Sequence, residues 1–279
     1  MASVSELLKL SAKLQLNSDS PQLDCELLLC HALEVDRTWL RTWPENQVSA
    51  SQQILFESLL DQRINGTPIA YLIGSRGFWS MDLHVSSDTL IPRPETELLV
   101  EIALNLNIPS KACGLDLGTG SGAIALALAS ERSDMQWTAV DSHQGAVKLA
   151  QKNCDQQQLT NVHIFQSYWF DAIKSPNNKF DLIVSNPPYI AADDPHLSVG
   201  DVRFEPSTAL VSGIDGLDDI KIIVSQSANY LNSSGWLILE HGYNQGRLVR
   251  QLLLAAGFSQ VVTKQDYNNL DRITLGQWQ

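Results

Sequence analysis

Residues 114–129 constrain the fold of this 279-residue chain more than any other segment. They comprise an apolar run ending at Leu117, a turn with glycine at every second position from Gly118 to Gly122, and a run of alanine, leucine and isoleucine. This order predicts a buried strand, a tight turn and a helix. Glycine allows positive φ angles, and a helix that begins beside it directs free N–H groups at a ligand. The segment therefore predicts a βα unit with a ligand site at its turn.

Strand and helix patterns alternate from residue 111 onwards, which predicts a mostly parallel sheet with helices on both faces. Ligands of such sheets bind beyond the carboxyl ends of the strands. Asp141 follows the second predicted strand, at a spacing typical of acidic residues that contact ribose hydroxyls, although capping of the next helix is an alternative role. The predicted strands cover residues 113–117, 137–140, 162–165, 181–184, 236–239, 260–263 and 272–275.

A second segment that indicates a ligand site follows the fourth of these strands. It is the tetrapeptide Asn186-Pro187-Pro188-Tyr189. Neither proline can donate to a strand ladder and each restricts the residue before it, so the tetrapeptide is expected to form a stiff turn. Its amide side chain, backbone carbonyls and aromatic ring suit a planar –NH2 group. A strand-ending loop with a buried tyrosine is the alternative. A nicotinamide site would explain the glycines but not this tetrapeptide.

The chain divides into three regions of different character. Residues 1–72 are predicted to form a small helical bundle, in which Pro21 begins one helix and another covers about residues 49–64. Residues 73–92 alternate and contain glycines, which predicts a β-hairpin linker. Residues 93–279 hold the alternating strands and helices and are expected to form an α/β domain.

Composition narrows the classes of partner. The net charge is −12, from 19 basic and 31 acidic residues, which argues against tight binding to a nucleic-acid backbone and is compatible with a basic protein partner. No apolar run reaches the roughly 18 residues that span a bilayer. The four cysteines lack C-x-x-C spacing and the six histidines are scattered, so we expect no metal and a cytoplasmic protein.

Together, the glycine turn and the tetrapeptide resemble the class I S-adenosylmethionine (AdoMet)-dependent methyltransferases that modify planar nitrogens in DNA, rRNA and proteins. Further segments are similar to a narrower family, the protein-(glutamine-N5) methyltransferases of peptide chain release factors (PrmC/HemK type). The resemblance covers nearly the whole chain. The segments that carry it are residues 90–97, 116–122, 185–190, 200–206, 209–211 and 213–217.

The resemblance implies a Rossmann-like, doubly wound α/β fold, AdoMet as cofactor, and a release factor with a Gly-Gly-Gln motif as the protein substrate. It implies catalytic roles for Asn186, Pro187 and Tyr189, and contacts of these residues and Pro188 with the substrate glutamine. Trp169 has an alternative role as a core residue after a strand. The residues implied to bind the cofactor are Gly118, Thr119, Gly120, Ser121, Gly122, Asp141, Trp169 and Asn186.

Methylation of an amide nitrogen depends on positioning more than on acid–base groups. The nitrogen is a poor nucleophile because its lone pair is delocalised, whereas the sulfonium donor carries an excellent leaving group. The site must therefore align the reacting atoms and supply acceptors for the charge that develops on nitrogen. The Asn186 side-chain oxygen and the Pro187 carbonyl are the expected acceptors, and Tyr189 is expected to stack on the amide plane.

Three alternatives share parts of this pattern. A glutamine methyltransferase of a ribosomal protein would have the same site and differ only in substrate recognition. A DNA or rRNA exocyclic-amine methyltransferase is opposed by the acidic charge and by the lack of a large target-recognition insert. A binding module that keeps AdoMet without activity is opposed by the intact tetrapeptide. We expect a monomer that acts on release factors and contacts neither membrane nor nucleic acid.

Overall fold

The computed structural model describes residues 2–174 and 179–279, which divide into two compact units. One unit comprises Met1–Ser75 with Pro195–Phe204, and the other comprises Arg76–Asp194 with Glu205–Gln279. Met1 and residues 175–178, which fall within the predicted domain ranges 1–72 and 93–279, lie outside the described residues. Within the described ranges, no helix is both long enough and apolar enough to cross a membrane.

The first unit is helical. Its α-helices are α1 (Val4–Leu8), α2 (Pro21–Leu33), α3 (Arg37–Thr42), α4 (Ala50–Ile64) and α5 (Ile69–Ile73), and a 3-10 helix covers Lys9–Leu14. A proline begins α2 because the first helical position needs no N–H donor. Leu28 and Leu29 of α2 pack with Phe56 of α4 in a buried core.

An ionic cluster connects three segments of the first unit. The Arg63 side chain of α4 donates to Asp24 of α2 at 2.8 Å and to Asp201 at 2.9 Å. Asp201 belongs to the second of two 3-10 helices, Pro195–Ser198 and Gly200–Phe204. The Arg63 and Asp24 side chains are both buried, so loss of one charge would leave the other buried and unpaired. The cluster thus ties the segment after residue 194 to the helices.

The second unit contains a two-stranded sheet and a seven-stranded sheet. The small sheet pairs β1 (Ser75–Phe78) with β2 (Met81–His84), where the hairpin was predicted. The strands of the large sheet are β3 (Cys113–Leu117), β4 (Gln136–Asp141), β5 (Val162–Gln166), β6 (Phe180–Ser185), β7 (Leu231–Glu240), β8 (Ser259–Gln265) and β9 (Asp271–Gln277). Its helices are α6 (Glu97–Leu104), α7 (Ala123–Glu131), α8 (Gln144–Gln156), α9 (Asp218–Ser227) and α10 (Gly246–Ala255), with 3-10 helices at Pro94–Thr96 and Ser207–Ala209.

The strand order of the large sheet is β5-β4-β3-β6-β7-β9-β8, and β9 runs opposite to the other six strands. This confirms the predicted mostly parallel α/β fold. The chain order reverses between β3 and β6, which pair in parallel with Leu117 opposite Ser185. The residues after these two strands therefore lie side by side at the carboxyl edge of the sheet, at the switch point where such folds bind ligands.

Apolar clusters bury both faces of this sheet. One cluster includes Leu99 of α6 and Leu126 of α7, and the other includes Ile220 of α9 and Leu253 of α10. Trp137 of β4 belongs to the first cluster, and its ring would lie 2.5 Å from a Cβ atom at residue 114, which explains a glycine within β3. The helices on these two faces support the sheet, whose carboxyl edge carries the candidate site.

Candidate active site

A cavity of about 330 Å³ opens at the carboxyl edge, within the size range of small-molecule sites. The turn after β3 and the residues after β4 and β6 all contribute to its wall. Among the predicted site residues, Gly122, Pro187 and Tyr189 do not line the cavity. Those that line it are Gly118, Thr119, Gly120, Ser121, Asp141, Trp169, Asn186 and Pro188.

Left-handed backbone conformations form the turn between β3 and α7. Gly118, Gly120 and Gly122 have φ angles of 71°, 57° and 88°, which side-chain-bearing residues adopt only at a cost. The N–H groups of Gly118 and Thr119 both donate to the Val140 carbonyl at 2.9 Å. The turn is therefore anchored to β4 and passes along the cavity through backbone atoms.

Asp141 at the end of β4 holds two neighbouring backbone segments. Its Oδ2 accepts from the Gly120 N–H at 2.9 Å, and its Oδ1 accepts from the His143 N–H, also at 2.9 Å. His143 is the N-cap residue of α8, so Asp141 orders the start of that helix without being its cap. Each carboxylate oxygen has more than one lone pair, so both can still accept a hydrogen bond from a ligand.

Asp116, beneath the glycine turn, is a fully buried acid. Its Oδ2 accepts from the Thr119 hydroxyl at 2.6 Å. Burial raises the pKa of Asp116 to about 7, against the effect of that hydrogen bond, and the charge of Asp141 adds to the rise. The glycine turn thus rests on a carboxyl group whose pKa burial brings near 7.

Trp169 forms a wall of the cavity from a strained turn. Its φ angle of 43° is rare for a residue with a bulky side chain. The Ser167 hydroxyl donates to the Trp169 carbonyl at 2.9 Å and accepts from the Ala172 N–H at 3.0 Å, which holds the turn. A Cβ atom at Gly118 would lie 3.3 Å from the indole ring. The ring therefore packs against the glycine turn. Strained backbone of this kind is common at functional sites.

The tetrapeptide begins beside the glycine turn. The Ser185 hydroxyl donates to the Leu117 carbonyl at 2.7 Å, which adds a side-chain link to the β3–β6 ladder. The next residue, Asn186, donates through Nδ2 to the Thr96 hydroxyl at 3.2 Å. Asn186 therefore lines the cavity with its amide group held by Thr96.

Tyr189 at the other end of the tetrapeptide is held at two points. Its hydroxyl donates to Glu240 Oε1 at 3.2 Å, and its carbonyl accepts from Gln245 Nε2 at 2.9 Å. Burial raises the pKa of the Tyr189 hydroxyl above its ordinary value, and burial raises the pKa of Glu240 to about 7. Stacking of the tyrosine ring on a substrate amide stays a prediction.

A partly buried ion pair joins two of the segments that carry the family resemblance. Glu205 accepts from the Ile91 N–H at 3.0 Å and forms a short ion pair with Arg93. The Glu205 side chain is fully buried, and it accepts from both the Ile91 backbone and the Arg93 guanidinium. Because Arg93 and Ala209 both line the cavity, this pair fixes two of its walls relative to each other.

Several site residues were missed at the level of sequence. Glu240 could have been found, because it directly follows predicted strand 236–239 at the carboxyl edge, as Asp141 follows predicted strand 137–140. Asn153, which donates to the Ser121 carbonyl at 2.8 Å, gives no such signal. Thr96 and Gln245 also lack one, since their partners lie far away in the sequence.

The chain is similar to known proteins over nearly its whole length. Residues 7–74 match the PrmC N-terminal domain family and residues 94–211 match the methyltransferase small domain family. The chain is 53% identical over 262 residues to the release factor glutamine methyltransferase of Pseudomonas aeruginosa, covering 94% of each chain. It is 51% identical over 262 residues to the release factor glutamine methyltransferase of Escherichia coli K12, again covering 94% of each.

The fold is also similar to that of a solved methyltransferase from Pyrococcus furiosus. The TM-score is 0.53 at 15% identity, and the match covers 79% of this chain and 98% of that one. At this identity the likeness concerns the fold alone.

Proposed function

This chain belongs to the release factor glutamine methyltransferase family, and on that premise we propose that it transfers a methyl group from AdoMet to the side-chain N5 of a glutamine in peptide chain release factors. The target is the glutamine of the Gly-Gly-Gln motif, so the modification would support translation termination. The observation that carries the proposal is the single cavity lined both by the glycine turn and by Asn186.

The lining of the cavity fits AdoMet. A Cβ atom at Gly120 would have no neighbour closer than Thr89 Cβ at 3.9 Å, so the turn leaves room for a ligand along its backbone. Asp141 offers acceptors for ribose hydroxyls, and Trp169 offers an aromatic face beside the adenine. AdoMet supplies, when bound, an electrophilic methyl group on a sulfonium. The proposed cofactor residues are Gly118, Thr119, Gly120, Ser121, Gly122, Asp141, Trp169 and Asn186.

The tetrapeptide is proposed to hold the substrate glutamine. The Asn186 side-chain oxygen and the Pro187 carbonyl accept hydrogen bonds from the two N–H groups of its amide. These acceptors bind the nitrogen more strongly as positive charge develops on it, which favours the transition state over the ground state. Pro188 lines the approach, and Tyr189 packs on the amide plane.

The remaining parts of the chain are proposed to recognise the protein substrate. Residues 1–72 serve as a recognition domain, residues 73–92 as a linker and residues 93–279 as the catalytic domain. Trp43 and Ile54 of the helical unit expose 52% and 67% of their surface, which suits a protein contact. We further propose a cytoplasmic monomer that needs no direct contact with nucleic acid.

Incubation of the purified chain with labelled AdoMet and a release factor tests this function. Mass spectrometry should find one added methyl group on the peptide that contains Gly-Gly-Gln, and none when that glutamine is replaced by asparagine. A short Gly-Gly-Gln peptide assayed in parallel should be a poorer substrate, because it lacks the surface that residues 1–72 would bind. Methylation of a purified ribosomal protein in place of the release factor would contradict the proposed substrate.

A further inference from the structure

We propose that Arg93 binds the carboxylate in the methionine part of AdoMet, and that Glu205 holds the guanidinium in place for this contact. The inference rests on the cofactor of the function proposed above. It assigns a residue outside the glycine turn, Asp141, Trp169 and Asn186. Two observations carry it: Arg93 lines the cavity, and the partner of its guanidinium is a carboxylate on a fully buried side chain.

The charged groups around the cavity are mostly acidic. The aspartates Asp88, Asp141 and Asp219 line it, and Arg93 is the one lysine or arginine among the described residues of the lining. His143 also lines the cavity, but its Nδ1 lies 3.7 Å from Asp141 Oδ1, at the side proposed for the ribose. A ligand carboxylate in such a cavity is repelled by the aspartates unless a cation stands beside it. Arg93 supplies that cation.

Glu205 fixes one part of the guanidinium. Its Oε2 forms the short ion pair with Nη2 of Arg93, and its Oε1 accepts from the Ile91 N–H at 3.0 Å. The Glu205 side chain is fully buried, whereas the Arg93 side chain is 30% exposed. A buried carboxylate costs desolvation energy, and the backbone contact keeps it in one position. The arginine is therefore directed by a group that does not turn towards solvent.

The guanidinium keeps donors for a ligand. An arginine side chain has five N–H donors, and Glu205 is the acceptor that the Arg93 side chain contacts among residues 2–174 and 179–279. A guanidinium binds a carboxylate best through two parallel hydrogen bonds from one of its forks. Because the contact with Glu205 uses a single N–H of Nη2, one complete fork stays free for a second carboxylate.

Arg93 belongs to a segment that connects the glycine turn with the tetrapeptide. At one end, Thr89 Cβ lies 3.9 Å from the position of a Cβ atom added at Gly120. At the other end, the Thr96 hydroxyl accepts from Asn186 Nδ2 at 3.2 Å. The methionine part of AdoMet is attached to the same sulfonium as the transferred methyl group, which is proposed to face Asn186. A wall that reaches from the glycine turn to Asn186 therefore suits the methionine part.

The test compares two cofactors by calorimetry, without a protein substrate. AdoMet is titrated into the wild-type chain in parallel with decarboxylated AdoMet, which keeps the adenosine, sulfonium and ammonium groups and lacks the carboxylate. We expect the wild-type chain to bind AdoMet about 10- to 100-fold more tightly, the range of a charge-assisted contact. Equal affinities would overturn the inference, because the chain would then not recognise the carboxylate.

A double variant assigns this preference to Arg93. Arg93→Met combined with Glu205→Gln removes both charges together, so neither is left buried and unpaired. The preference for AdoMet should disappear or reverse, since the lining aspartates then favour the more cationic analogue. The matched control is Arg37→Met combined with Glu26→Gln, which removes an arginine–glutamate pair with an N···O distance of 2.6 Å outside the cavity lining. The control should keep the wild-type preference.

Arg93→Lys provides an independent test, should the double variant fold poorly. Lysine keeps a positive charge beside Glu205, but it offers a point charge in place of a planar fork. The preference for AdoMet should fall about fivefold or more, while affinity for the decarboxylated analogue changes less than about twofold. Equal losses of affinity for the two cofactors would show that the arginine only supports the fold, and would overturn the inference.

The outcomes distinguish this inference from the proposed function. Equal binding of the two cofactors, with release factor methylation intact, would overturn the inference and leave the function standing. Failure of the wild-type chain to bind either cofactor would overturn both. An unchanged preference in the double variant, with a raised KM for the release factor, would assign Arg93 to the protein substrate and overturn the inference.

Discussion

The proposed cofactor side of the cavity is formed mainly by backbone, whereas the proposed substrate side is formed mainly by side chains. On the cofactor side, three glycines with positive φ angles and N–H groups bound to Val140 set the shape of the wall. On the substrate side, Asn186 and Tyr189 are held by the side chains of Thr96, Glu240 and Gln245. The first side depends on backbone conformations that few residues can adopt, and the second side depends on specific pairs of side chains.

Both sides contain one buried acid whose pKa burial raises to about 7. Asp116 finds its hydroxyl partner three residues later, in the same turn. Glu240 binds a tyrosine that lies 51 residues away in the sequence. The comparison suggests that the cofactor side is a local unit of the chain, while the substrate side forms only when distant elements pack.

The largest expected effect separates the two sides at Asn186. Asn186→Ala should lower kcat for release factor methylation about 100- to 1000-fold, because the substrate loses an acceptor that strengthens in the transition state. AdoMet affinity, measured by calorimetry, should change less than about threefold. Asn107→Ala, an exposed residue after α6, is the control and should change neither quantity.

Equal losses of activity and AdoMet affinity in Asn186→Ala would contradict this division. Asn186 would then belong to the cofactor side of the cavity, and the substrate side would begin after Asn186.

This contrast also explains what could be predicted from the sequence. The strand at Cys113–Leu117 and the glycine turn were predicted because apolar runs and glycines act within a few residues, and the α/β fold was confirmed with them. The 3-10 helices at Pro195–Ser198 and Gly200–Phe204 were not predicted, because they lack the periodic apolar pattern of longer helices.

The partners of Glu205 and Thr96 were also beyond the reach of sequence patterns. Glu205 binds Arg93 across 112 residues, and Thr96 accepts from Asn186 across 90 residues. Such pairs arise from the tertiary fold and leave no local signal. The sequence therefore indicated the glycine turn in more detail than the contacts that hold Asn186 and Tyr189.

A smaller effect concerns stability and tests whether the two buried acids behave alike. The folded-state pKa of Glu240 is about 7, above its ordinary 4.5, so the folded chain binds more protons between these values and loses stability as pH rises. Glu240→Gln removes this titration. Relative to wild type, the unfolding free energy of the variant should therefore rise by about 3 kcal/mol as the pH increases from about 4.5 to about 8.

Denaturant unfolding at several pH values measures this gain. Asp116→Asn should show a gain of the same sign, because burial raises the pKa of that acid as well. Glu101→Gln, at a half-buried residue of α6, is the control and should show a much smaller change. A gain for one acid and none for the other would mean that only one side of the cavity contains a carboxyl group that titrates near neutral pH.

The smallest expected effect tests whether backbone conformation alone builds the cofactor side. Gly120 has a φ angle of 57°, yet a Cβ atom there would meet nothing closer than 3.9 Å within the protein. Gly120→Ala therefore costs conformational energy without a clash, about 1 to 2 kcal/mol, and should weaken AdoMet binding about tenfold if the turn relaxes. At saturating AdoMet, kcat should stay within about twofold of wild type, because the substrate side is held by other residues.

Gly77→Ala is the matched control for this substitution. Gly77 lies in β1, outside the left-handed region and with no atom within 4 Å of an added Cβ, so the variant should bind AdoMet as wild type does. Unchanged AdoMet binding in Gly120→Ala would show that the turn tolerates a side chain and that its glycine is not a conformational requirement. A fall in kcat at saturation would show instead that the glycine turn and the tetrapeptide are mechanically coupled, since a change confined to one wall would then have altered the chemistry at the other.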